Sequence, residues 1–123
     1  MSGLARIMVY GNLTADPETK KVSTGKNVTV FSVAVNHRFG FSESSDDVSY
    51  FDVEAWEKQG EYCESRLKKG NPVIVWGRMK QERWKSSDGT SRQKMKIVAE
   101  DVRLLEREKS ESKNEEREQR KAA

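Results

Sequence analysis

Hydrophobic residues fall along this chain in short, strand-length groups, and most alternate with polar ones. The clearest case is Val48 to Trp56, where Tyr50, Asp52, Glu54 and Trp56 share one face and Phe51, Val53 and Ala55 the other. A period of two predicts a strand with one exposed face. Ile7-Met8-Val9-Tyr10 is an apolar run closed by Gly11-Asn12, which reads as a strand ending at a bend or bulge. After a turn at Asp16-Pro17, Thr19 to Val22 and Asn27 to Val35 flank Ser23-Thr24-Gly25-Lys26, a hairpin signal. In the second arm Thr29, Phe31, Val33 and Val35 lie on one face, with Val28, Val30, Ser32, Ala34 and Asn36 on the other. Both faces are largely apolar, so this strand is expected to be central and covered on both sides.

Helical spacing occurs once. Tyr62, Cys63, Arg66 and Leu67 recur at one-turn intervals within Glu57 to Lys69, Gly70 offers a stop, and Pro72 lies just beyond. Gly60 weakens the first turn by about 1 kcal/mol relative to alanine. Val73-Ile74-Val75-Trp76 then opens a strand that turns basic after Gly77, reverses at Ser86-Ser87-Asp88-Gly89-Thr90 and returns. Lys94 to Leu105 is the last strand, with Met95, Ile97 and Ala99 facing inward and a bend at Glu100-Asp101. The order reads β-β-β-α-β-β, in short strands with one helix between the third and fourth. That pattern predicts an all-β fold, a five-stranded Greek-key OB-fold barrel with a long basic hairpin between its last two strands.

Composition sharpens the boundaries. The 123 residues suffice for one domain, and only 34% are hydrophobic. The deficit is concentrated in residues 106–123, where six acids balance six bases and two terminal alanines are the only apolar residues. We therefore expect a folded domain over residues 1–105 and a disordered or solvated tail over 106–123. The hairpin from Arg78 to Lys96 carries seven Lys or Arg against Glu82 and Asp88, more positive charge than the net +3 of the whole chain. Localised charge of this kind points to a ligand. A lone cysteine excludes an internal disulfide and fits a reducing compartment. No run is apolar enough for a signal peptide or a membrane span, so a cytosolic protein without a membrane partner is expected.

Candidate chemistry points to binding. His37 stands in a loop without a second histidine, Cys63 reads as a small core hydrophobe, and the acids have no calcium-loop or zinc spacing. No catalytic residues, metal site or cofactor are expected, and an enzyme is not. Rings and cations make a stronger case. Trp84 lies between Arg83 and Lys85, Tyr50 and Trp56 share a strand face, and Phe39 and Phe41 sit in the loop before it. Exposed rings beside Lys and Arg suit unpaired bases and their phosphates. Trp56 serves equally well as core cover, and Trp76, within an apolar run, is expected inside the domain or in a subunit contact. No recognition helix or zinc finger for a duplex groove is present.

The chain also resembles the bacterial single-stranded DNA-binding proteins (SSB family). The matching segments, in order, are Ile7-Met8-Val9-Tyr10-Gly11-Asn12-Leu13 with Asp16-Pro17-Glu18, then Phe31-Ser32-Val33-Ala34-Val35-Asn36. Tyr50-Phe51-Asp52-Val53 follows with Trp56-Glu57-Lys58, then Leu67-Lys68-Lys69-Gly70-Asn71-Pro72-Val73, Gly77-Arg78-Met79, and Trp84 with Asp88-Gly89. The match covers about residues 4–105. It implies an OB-fold that assembles as a homotetramer and binds single-stranded DNA without sequence preference in replication, recombination and repair, near the bacterial nucleoid. Its stacking positions correspond to Phe39, Tyr50, Trp56 and Trp84, and its phosphate contacts to Arg38, Lys58, Arg78, Lys80, Arg83, Lys85, Lys94 and Lys96.

Two departures stand out. Many members of the family end in an acidic, hydrophobic tip that docks partners, whereas this chain ends Arg120-Lys121-Ala122-Ala123. Partner recruitment through the tail is therefore not expected. Trp76 replaces a charged or polar residue on a sheet face that the family uses between subunits. The alternative reading is an OB-fold protein-interaction module of primosome-like type with weak nucleic-acid binding.

Overall fold

Four strands, β1 (Arg6–Leu13), β2 (Glu18–Lys21), β3 (Asn27–Asn36) and β4 (Val48–Trp56), precede the helix α1 (Glu57–Arg66), and β5 (Pro72–Lys85) and β6 (Ser91–Leu104) follow it. The computed structural model describes residues 2–37 and 47–105, so Arg38, Phe39, Phe41 and the tail over 106–123 lie outside the described residues. The strands pair in the order β1-β5-β6-β4-β3-β2, and β1 also meets β3 at Asn12↔Ala34 and Leu13↔Val33. That second contact closes β1, β5, β6, β4 and β3 into a five-stranded ring. β2 lies outside it, along the edge of β3. β4 and β6 run parallel where Val53 and Glu54 face Ile97 and Val98. This is the OB-type barrel that the element order predicts, with two differences. The hairpin arm β2 is a sixth strand, and β5 and β6, at 14 residues each, are far from short.

The interior follows from the alternation. Val9 and Leu13 of β1, Phe31 and Val33 of β3, Val53 and Ala55 of β4, Val73 and Val75 of β5, and Ile97 and Val102 of β6 are buried together. The helix adds Cys63, and Leu67 follows just after it. Each of these larger aliphatic side chains contributes roughly 1.5–3 kcal/mol on burial. Burial also pushes the Cys63 thiol up to about 12, so it is a packing group and not a nucleophile.

Two glycines make the closure possible. A Cβ at Gly11 would stand 2.3 Å from the Ala34 carbonyl oxygen, where β1 leaves β5 and crosses onto β3. The strand does not end there, as the sequence suggests, but runs on to Leu13. A Cβ at Gly60 would lie 2.6 Å from both the Ala55 carbonyl oxygen and Thr29 Oγ1. The helix-weakening glycine is what lets α1 lie directly on β3 and β4. There the buried Thr29 hydroxyl is 2.8 Å from that of Thr19, which donates to Glu64 Oε2 at 2.6 Å. Thr19 has one proton to give, so Thr29 must donate to Thr19, and the chain of bonds ties β3, β2 and α1 together.

Three local expectations need correction. α1 stops at Arg66, three residues early, because Leu67 turns extended to reach the core at 2% exposure. Gly70, with φ +88°, serves the next turn, which Asn71 closes by accepting from the Lys68 N–H. The outer face of β3 is only partly covered: Val28 is buried, but Val30, Ser32 and Ala34 are half-buried and Asn36 is exposed. Val30 and Ser32 border an open hollow instead of a second layer. Met95 is 49% exposed, because the hairpin has already left the barrel at that rung. The bend expected at Glu100-Asp101 is a bulge: Trp76 pairs with Asp101 and Gly77 with Ala99, leaving Glu100 as the extra residue.

Candidate nucleic-acid interface

The outer face of β4 presents Tyr50, Asp52, Glu54 and Trp56 in a row, about 6.8 Å apart by strand geometry. Tyr50 is 68% exposed. Trp56 is half-buried, in a hollow lined also by Leu4, Arg78, Lys80 and Lys96. At half-burial, Trp56 both covers the barrel and faces the hollow.

Beside β4, the long β5–β6 hairpin alternates in the same way. Its rungs pair Lys80 with Lys96, Glu82 with Lys94 and Trp84 with Arg92. These residues share one face with Arg78, and ion pairs join that face to β4: Lys94 Nζ is 2.8 Å from Asp52 Oδ2 and Lys96 Nζ is 2.6 Å from Glu54 Oε2. Tyr50, Trp56 and Trp84 therefore share one continuous surface with Arg78, Lys80, Lys94 and Lys96. Arg92, opposite the 44%-exposed Trp84, lies on the same surface.

Other predicted contacts do not gather there. Neighbours on a strand point to opposite faces, so Arg83 and Lys85 lie on the reverse of the hairpin from Trp84. The Arg83 guanidinium donates to Gln81 Oε1 on that side. Lys58 sits on α1 in a separate hollow with Gln59, Tyr62 and the end of β6.

Two lysines are already engaged. Lys96 is also 3.5 Å from Glu82 Oε2 and is only 13% exposed at the side chain. Burial pulls its pKa down, but Glu54 and Glu82 more than offset this and hold the ammonium above its ordinary value. The hairpin tip is ordered by Asp88. Its carboxylate accepts from the Ser86 hydroxyl and, at 3.0 Å, from the Thr90 N–H, while Gly89 takes φ +84°. The hydrogen bonds from Ser86 and Thr90 lower the Asp88 pKa to about 2.

A second surface is apolar. Met8 faces Trp76 and Tyr10 faces Ile74 across β1 and β5, on the outside of the barrel. Met8 is 62% and Tyr10 50% exposed. Trp76 is half-buried, so it lies on this strip and not inside the barrel.

A closed five-stranded Greek-key barrel with aromatic residues on the outer face of β4, beside an extended basic β5–β6 hairpin, is an oligonucleotide-binding barrel. The Single-strand binding protein family matches residues 4–105, and the chain belongs to that family. It is 35% identical to the single-stranded DNA-binding protein 2 of Chlorobaculum tepidum, over 94% of this chain and 80% of the relative. It is 39% identical to the single-stranded DNA-binding protein of Treponema pallidum, over 85% and 60%, and 36% identical to that of Aquifex aeolicus, over 86% and 73%.

Proposed function

We propose that this protein binds and protects single-stranded DNA in replication, recombination and repair, by stacking bases on aromatic rings and neutralising phosphates. The observation that carries the reading is the common surface of Tyr50, Trp56 and Trp84 with Arg78, Lys80, Arg92, Lys94 and Lys96. Phe39 and Arg38, outside the described residues, are proposed as a further stacking and a further phosphate contact. Arg83, Lys85 and Lys58 are proposed as flanking phosphate contacts on other faces. The chemistry is binding without catalysis, and the setting a reducing, nucleoid-associated cytoplasm.

Adding oligo-dT should quench tryptophan fluorescence, and log affinity should fall linearly with log salt with a slope of about −0.7 per phosphate neutralised. Absence of a quench at low salt would reject the proposal.

The protein is further proposed to act as a homo-oligomer, a tetramer on the pattern of the family. What supports this is the strip formed by Met8, Tyr10, Ile74 and Trp76, an exposed apolar surface on the sheet away from the rings.

A further inference from the structure

Five cations share a face with Tyr50, Trp56 and Trp84, but three carboxylates stand among them. Asp52 and Glu54 separate the two rings of β4, and Glu82 lies between Lys80 and Trp84 on the same side of β5. The cations are therefore of two kinds. Arg78, Lys80 and Arg92 form no ion pair among the described residues, whereas Lys94 and Lys96 each hold an acid of β4. The two lysines differ in turn. Lys94 and Asp52, 2.8 Å apart, are both about half-exposed, and such a pair opens at little cost. Lys96 lies between Glu54 at 2.6 Å and Glu82 at 3.5 Å, and it and Glu54 are largely shielded from water. It keeps its partners and holds the hairpin against β4.

We infer that Asp52 is a built-in counterion, occupying Lys94 whenever a phosphate does not, and that it limits both the affinity for single-stranded DNA and its salt dependence. The inference rests on the proposal that this face binds DNA. A phosphate that reaches Arg78, Lys80 or Arg92 sheds the cation condensed on it, and nothing takes that cation up again. A phosphate that reaches Lys94 must displace Asp52, and the bared carboxylate draws a cation back from solution. Release and uptake cancel, so Lys94 contributes a contact without contributing to the salt slope. The exchange also runs in reverse. As the strand moves off, Asp52 replaces the departing phosphate, and the ammonium is never left without an anion. The acid on β4 thus trades tight binding for ready release.

The test is a titration of the full chain with oligo-dT across a range of salt, read by tryptophan quenching. Asp52→Asn keeps the shape of the side chain and removes its charge. It should steepen the log–log salt slope by about 0.7 for each protomer the DNA covers, which amounts to about fivefold tighter binding at about 0.1 M salt and no gain near about 1 M. Adding Lys94→Met to Asp52→Asn should remove the added slope, because the gain acts through that ammonium. Glu61→Gln, the same change of charge at an exposed position on α1, should leave the slope as it is. An unchanged slope in Asp52→Asn overturns the inference. So does an added slope that survives the loss of Lys94, or an equal gain in Glu61→Gln, which would make net charge the cause. If the unmodified protein gives no quench at low salt, the proposal of DNA binding fails and the inference with it, a result distinct from an unchanged slope.

Discussion

Trp84 and its neighbours show how far a single side chain's orientation decides its use. Trp84 stands 44% exposed opposite Arg92, while Arg83 and Lys85 point to the reverse of the hairpin. Trp84→Ala should weaken oligo-dT binding by roughly 1–3 kcal/mol, the stacking increment of one base. Arg92→Ala should cost more than Arg83→Ala in the same titration; the reverse order would place the DNA on the other face. The signal for these orientations lies in the sequence, since adjacent strand residues cannot share a face. The ion pairs of Lys94 with Asp52 and Lys96 with Glu54 were not legible in the same way. Each joins residues 42 positions apart, through a parallel pairing that no local pattern encodes.

At the scale of elements, period-two alternation was the readable quantity. It located β4 to the residue and sorted its two faces, because that strand has one wet side and one dry side. It misjudged β3, whose outer face is apolar in sequence but borders a hollow. Helical spacing and the Gly70 stop place the end of α1 too late, because Leu67 gains more from the core than from another helical turn. Gly60 looked like a local weakness and is a packing requirement. Gly60→Ala, favourable in an isolated helix, should destabilise the protein by about 1–3 kcal/mol in urea denaturation, since the methyl group meets the Ala55 carbonyl and Thr29. The hairpin turn carries a pH dependence of its own. The Asp88 pKa is about 2 when folded, against an ordinary 3.8, so its contribution is complete above about pH 4 and is lost as pH falls toward 2. The Gly89 and Thr90 amide resonances should follow that titration in NMR. In Asp88→Asn they should lose it; an unchanged profile would contradict the assignment.

For the molecule as a whole, the OB-type fold could be read because one helix between strand-length segments leaves few arrangements open. How the ring closes could not, because closure depends on where β1 switches partners at Gly11 and Asn12. Trp76 belongs to this scale. Replacing it with arginine on the apolar strip should shift the light-scattering mass at micromolar concentration toward monomer, leaving the far-ultraviolet circular dichroism unchanged. An unaltered mass would remove Trp76 from the subunit contact. The hairpin has one more consequence. Beyond Met79 and Ile97 its two arms have no core beneath them, yet both continue down into the barrel as long, fully paired strands. A nick in the turn between Ser86 and Thr90 would therefore divide the polypeptide without dividing the fold. Two fragments would stay joined through Val73, Val75, Ile97 and Val102, and new chain ends or an inserted module could be accommodated at that tip.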